Sequence, residues 1–284
     1  MNIFISSVAF KNLTIPEIEE IAIQHQFSIE FSANFNPDQD LRNQFMTLTI
    51  DRLPHNYFPP PKDPFVLNLA SQDREILKRS RNHCMKGIEL ASMCRMKYFS
   101  AHAGFCLDPS PHMLGKQLEQ PSHIERDMFS KTFLDSCEML SEVAKNAGVK
   151  FCFENNVLMQ INRREDGINP LLCVDPEEII QVLDLVNNDS LGFLLDTAHL
   201  KVSANSLGFD KDLAVGQLND RIAYIHHSDN DGMEDTNEKL TANYWFLKHL
   251  KSFKNVPHVV EVKSQSIDDL KKQISLLRSS AEVI

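Results

Sequence analysis

The chain has 284 residues, 42% of them hydrophobic and 24% charged, with a formal net charge of -10. That is the composition of a globular chain able to bury a sizeable core. The acidic balance argues against a general nucleic-acid partner, which needs a basic face. No apolar run reaches the roughly 20 residues of a membrane span. The opening MNIFISSVAF lacks both the basic n-region and the long h-region of a signal peptide. Six cysteines, none in a C-x-x-C pair, read as reduced and mostly buried thiols, so a cytoplasmic protein is expected.

In chain order, short apolar or β-rich runs fall at Asn2–Val8, Phe27–Ser32, Phe45–Ile50, Lys97–Ala101, Val149–Phe153, Gly192–Leu195, Ile222–Ile225 and His258–Val262. Helical patterns separate most of them. Thr14, Pro16 and Glu17 form an N-cap, an early-turn proline and a capping-box glutamate, and Asp175, Pro176 and Glu178 repeat that logic. A long helix is expected from Ser71 to Met93, with others over Ser122–Ala147 and Ser266–Leu277. The proline-rich stretch between Ile50 and Ser71 reads as a long loop, as do Asp108–Gln120 and Lys201–Leu218. Strands alternating with helices imply a parallel sheet, and eight such units in this length predict an α/β fold, a single (β/α)8 TIM barrel over residues 1–284.

In such a barrel the active site lies at the C-terminal ends of the strands. Reading past each run gives His55 after the third, His102 after the fourth and Glu154 after the fifth. The sixth gives Asp196 and His199, the seventh His226, His227 and Asp229, and the eighth Glu261. One carboxylate or imidazole at a strand end is as well explained by a cap or a rim ion pair. A converging set is different. Such groups disfavour one another's charge unless a cation sits among them, and mixed carboxylate and imidazole donors suit Mn, Co, Zn, Mg or Fe(II).

These residues resemble the motifs of the xylose isomerase-like TIM barrels, a superfamily of sugar isomerases and epimerases that also holds the abasic-site endonucleases of the endonuclease IV type. "FCFEN", "LLDTAHL", "IHHSDNDG" and "VVEVK" are similar to its metal motifs, in the family's order. The resemblance implies a divalent metal ion held by Glu154, Asp196, His226 and Glu261, with His226 selected over His227 by its spacing to Asp229. It also implies His55 and His102 as ligands of a second metal, or as contacts to substrate hydroxyls, and gives His199 a similar role. In the endonuclease branch a third metal needs an Asp-x-His after strand seven; here Asp235-Thr236-Asn237 stands in its place, and asparagine is a poor zinc ligand.

The resemblance thus implies a metal-dependent isomerase or epimerase acting on a small sugar or sugar phosphate through an enediolate, with Glu154 and Glu261 moving the proton. Three alternatives stand beside it: a phosphoesterase or abasic-site endonuclease, a lyase or dehydratase on the same barrel, and a non-catalytic binding barrel. Arg163, Arg164 and Lys263 are candidates for binding an anionic group, although the arginine pair reads more readily as a solvated loop pair balanced by Glu165 and Asp166. No membrane partner is expected, and homo-oligomerisation stays open.

Overall fold

A computed structural model describes residues 1–282. Strand β1 (Ile3–Ser6) leads to helix α1 (Ile15–His25), β2 (Ser28–Phe31), α2 (Leu41–Thr47), β3 (Arg52–Pro54), α3 (Arg74–Met93) and β4 (Tyr98–His102). The second half runs α4 (Arg126–Ala147), β5 (Lys150–Glu154), α5 (Pro176–Val186), β6 (Leu191–Asp196), α6 (Thr197–Leu207), α7 (Lys211–Leu218), β7 (Ile222–His227), β8 (His258–Val260) and α8 (Ile267–Glu282). A 3-10 helix, Trp245–Phe253, takes the place of an α-helix between β7 and β8.

The eight strands form one parallel sheet, β3-β2-β1-β8-β7-β6-β5-β4. Its two ends meet where His55 bridges Ser100 and the Asn56 amide donates to the Ser100 carbonyl at 2.6 Å, which nearly closes the barrel. The fold is the (β/α)8 TIM barrel that the alternation of elements predicts. No helix among the described residues is long and apolar enough to cross a membrane.

Local chemistry fixes the helix starts. The Thr14 side chain accepts from the Glu17 amide while Glu17 reaches back to the Thr14 amide, at 2.7 Å, completing the capping box of α1. Asp73, Asp175 and Asp210 cap α3, α5 and α7 in the same sense.

Two expectations are corrected. The segment Phe45–Ile50 is not strand three. The Asp40 carboxylate caps a helix there, and Leu41 and Phe45, four residues apart, bury one helical face. The strand follows at Arg52–Pro54, with its buried Arg52 donating to the carbonyls of Leu48, Ile50 and Met46 at 2.9–3.1 Å. The segment Lys201–Leu218 is not a loop either. It carries the end of α6 and all of α7, separated by Gly208, whose φ of 81° gives the left-handed cap that ends α6.

The core has two parts. A large layer lies between strands and helices. A smaller plug of Phe4, Leu53, Cys152, Leu194, Tyr224 and Val259 fills the barrel interior. Because side chains alternate along a strand, the residue two positions beyond each plug residue faces the same interior. Those positions hold Ser6 on β1 and, around the rest of the barrel, His55, Glu154, Asp196, His226 and Glu261.

Candidate metal centre

These side chains meet above the apolar plug. One donor atom from each of Glu154, Asp196, His226 and Glu261 lies within 4.8 Å of the others. Ligands about 2.1 Å from a common ion sit roughly 3–4.2 Å apart, so the group has the dimensions of a cation site. Register explains the convergence: His102 of β4 pairs with Glu154 of β5, and Asp196 of β6 with His226 of β7. Asp196 also caps α6 by accepting from the His199 amide at 2.8 Å, which fixes one carboxylate oxygen. Its other oxygen, Oδ2, and both oxygens of Glu154 are buried without a hydrogen-bond partner among the described residues.

Orphaned carboxylate oxygens in a protein interior are costly unless a cation or proton takes them. Burial pushes the Glu154 carboxyl well above the usual range, with His226 and His199 opposing, and pushes Asp196 up to about 6. For His226 burial favours the neutral ring, but Glu30 and Glu261 outweigh it and raise its pKa. Burial would raise Glu261 as well, yet His226 beside it, 2.9 Å away, holds it below the ordinary carboxylate range. Each of these groups is thus charged or neutral at the expense of another, the situation a bound divalent ion resolves. Three carboxylates and an imidazole fit a borderline or hard cation, in keeping with the donor chemistry read from the sequence.

A second group shares Glu154. His55, His102 and Glu154 also bring donor atoms within 4.8 Å. His55 Nε2 lies 3.6 Å and His102 Nδ1 3.5 Å from Glu154 Oε2, and His55 Nδ1 is held by the Ser100 hydroxyl at 2.8 Å. Burial keeps both rings toward the neutral form that can ligate. His199 faces the other oxygen of Glu154, Oε1, at 3.5 Å, with Nδ1 bonded to the Asn155 carbonyl at 2.8 Å and Nε2 facing Asp235 Oδ2 at 3.4 Å. The Asn237 side chain lies against the Glu261 carbonyl at 3.5 Å.

The remaining sequence candidates are elsewhere. Arg164 engages Asp166 at 3.0 Å and the carbonyls of Pro121 and Ser122 at 2.7 and 2.9 Å. Arg163 donates to the Ser206 carbonyl at 2.8 Å, and Lys263 is exposed beyond the end of β8. The structure brings none of the three to the cluster, because the arginine donors are taken up in pinning the loop after β5. His227 points away from the cluster, into a buried chain with His258 and Tyr244.

Sequence reasoning missed Glu30. It is buried on β2, pairs with His226 Nε2 at 3.1 Å and accepts from the Tyr224 hydroxyl. The signal was present: a carboxylate between Ile29 and Phe31 in a buried strand poses the same question as Glu154.

Several solved structures share this fold. A D-tagatose 3-epimerase-like protein superposes with a TM-score of 0.74 at 19% identity, over 99% of this chain and 97% of the other. A protein from Thermus thermophilus, soaked with ZnCl2, gives 0.66 at 18% identity, covering 99% and 98%. An AP endonuclease, family 2, from Brucella melitensis gives 0.65 at 13% identity, covering 98% of each chain. No curated protein matches the chain significantly by sequence. The profile of the xylose isomerase-like TIM barrels matches residues 22–280, and the chain belongs to that family.

Proposed function

We propose that the protein is a divalent-metal-dependent isomerase or epimerase acting on a sugar-like hydroxycarbonyl compound. The observation that carries this reading is the buried Glu154–Asp196–His226–Glu261 group with its orphaned carboxylate oxygens. These residues would hold the ion. A divalent cation there would polarise a carbonyl as a Lewis acid and offset the charge of an enediolate.

The chain supplies the rest. Glu154 ends β5 and Glu261 follows β8, and both face Nδ1 of His226, at 3.8 and 2.9 Å. One carboxylate takes the proton from the carbon next to the carbonyl, and the other returns one, to the neighbouring carbon or to the opposite face. Asp196, fixed as a helix cap, orients the group, and His199 and His102 offer imidazole nitrogens to substrate oxygens. The resemblance to an epimerase-like protein agrees with this reading at the level of fold.

A second reading, a phosphoesterase with two metals, is favoured by one observation: His55, His102 and Glu154 form an adjoining donor group. Asn237 in place of a histidine and the net charge of -10 weigh against a nuclease.

The test is solvent-deuterium exchange. Mn-loaded protein incubated in D2O with a panel of ketoses and keto sugars should introduce deuterium beside the carbonyl. Glu154→Gln and Glu261→Gln should each abolish it. Hydrolysis of abasic-site DNA or simple phosphate esters, without exchange into any hydroxycarbonyl compound, would replace the first reading by the second.

A further inference from the structure

A cavity of about 250 Å³ adjoins the cluster. His102 and His199 form the wall nearest the cluster, each with Nδ1 3.5 Å from a Glu154 oxygen. Away from them the wall turns to carbon, with Val66, Leu67, Phe105, Leu118, Met159 and Leu171 facing the space. Leu118 and Leu171 belong to a small apolar cluster with Leu158 and Val174, separate from the barrel core and built by the loops after β4 and β5. The barrel does not need this cluster for its own core, yet it walls the approach to the site.

Three of the polar side chains of this wall are already engaged. Asn162 accepts from the Leu118 amide at 2.8 Å and donates to the Lys116 carbonyl at 3.2 Å. Asn156 donates to the carbonyls of Gly104 and Leu172, both at 2.9 Å. The Tyr57 hydroxyl accepts from the Leu67 amide. Asn56 Oδ1 and, beside His199 at the end nearest the cluster, Asp235 Oδ1 differ: each is buried without a hydrogen-bond partner among the described residues. Lys116 and Glu234 are exposed where they border the cavity. A chain of sugar hydroxyls moved from water against this wall would lose hydrogen bonds without replacement, which is unfavourable. An apolar group there would gain by leaving water.

We infer that the ligand of this site is amphiphilic: a small hydroxycarbonyl head at the cluster, bearing an alkyl or aryl substituent that fills the cavity. An O-alkyl or O-aryl keto sugar has this form; a free hexose or a sugar phosphate does not. The head rests on the proposed metal site, whereas the tail rests on the cavity alone.

Two chelating probes with one head separate these claims. Zn-loaded protein is titrated calorimetrically with acetohydroxamate and with hexanohydroxamate, which adds four methylenes. Tail burial predicts that the longer probe binds on the order of 100-fold more tightly. Leu114 lines the cavity and is 42% exposed, so Leu114→Asp alters the wall with little risk to the fold. It should cut the preference at least tenfold and leave acetohydroxamate unaffected. Equal affinities would overturn the inference, as would a preference untouched by both Leu114→Asp and Val66→Asp. Binding of hexanohydroxamate alone, with or without zinc, would keep the cavity and remove the metal reading. Binding of neither would remove both.

Discussion

Glu30 and His226 face each other across the barrel interior, with Nε2 of the imidazole 3.1 Å from Glu30 Oε1. The other ring nitrogen, Nδ1, points to Glu261, Glu154 and Asp196 at 2.9, 3.8 and 4.0 Å. A carboxylate behind a ligating histidine fixes its tautomer and raises its basicity. Replacing Glu30 by Gln should therefore weaken divalent-metal affinity by about 10–100-fold, while the fold stays intact. Competition against a chromogenic chelator measures this, and unchanged affinity would remove Glu30 from the site.

Glu154 is destabilising in the metal-free protein, since burial leaves both oxygens without partners. Glu154→Gln removes the charge and keeps the shape. The metal-free variant should melt at the wild-type temperature or about 2–4 °C above it, as expected for a gain of about 1 kcal/mol in a domain of this size. The rise in melting temperature that added Mn gives the wild type should vanish. Thermal denaturation with and without Mn reads both, and a metal-free variant melting well below the wild type would contradict the account.

His258, outside the cluster, gives a pH dependence of its own. Its Nε2 donates to the Phe253 carbonyl at 2.9 Å, and its Nδ1 accepts from His227 at 2.8 Å. Burial pushes its pKa down to about 4. The unfolded chain takes up this proton near pH 6.5 and the folded chain does not, so stability is full above about pH 6.5 and falls as the pH drops toward 4. The loss from this group is of order 3 kcal/mol across the window. Urea unfolding at pH 7.5 and 5 should show it, and His258→Leu should flatten the slope even if it lowers stability at pH 7.5. An equal slope in the variant would assign the dependence to other groups.

Asp40 tests the corrected second unit. Its carboxylate caps α2, accepting from the Asn43 amide and side chain at 3.4 and 2.6 Å. Asp40→Ala should cost about 1 kcal/mol, measured by urea unfolding, with no change in metal affinity. A strand over Phe45–Ile50 would make the substitution neutral.

The sequence carried the barrel and most of the cluster because both follow from strand alternation. Cys152 and Glu154, Leu194 and Asp196, and Tyr224 and His226 are pairs two residues apart, so an apolar position inside the barrel predicts the site residue beyond it. Strand three was obscured because Phe45, Met46, Leu48 and Ile50 are apolar enough for either period, and only the Asp40 cap tells helix from strand. Glu30 was missed because it sits within its strand rather than after it. Arg164 pairs with Asp166, as the local sequence suggests, but the carbonyls of Pro121, Ser122 and Ser206 that also hold the two arginines are distant in sequence, and no local pattern encodes them.

The most direct test of the central claim is metal content per chain. The protein, purified without chelator, is reloaded with Mn, Co, Zn or Mg, desalted and analysed by mass spectrometry beside the double variant Glu154→Ala/Asp196→Ala. The account predicts about one divalent ion per chain, lost in the double variant. Two ions would bring the group of His55, His102 and Glu154 into use and move phosphoester hydrolysis forward. No ion under any loading, or one retained by the double variant, would contradict the metal centre on which the proposed chemistry rests.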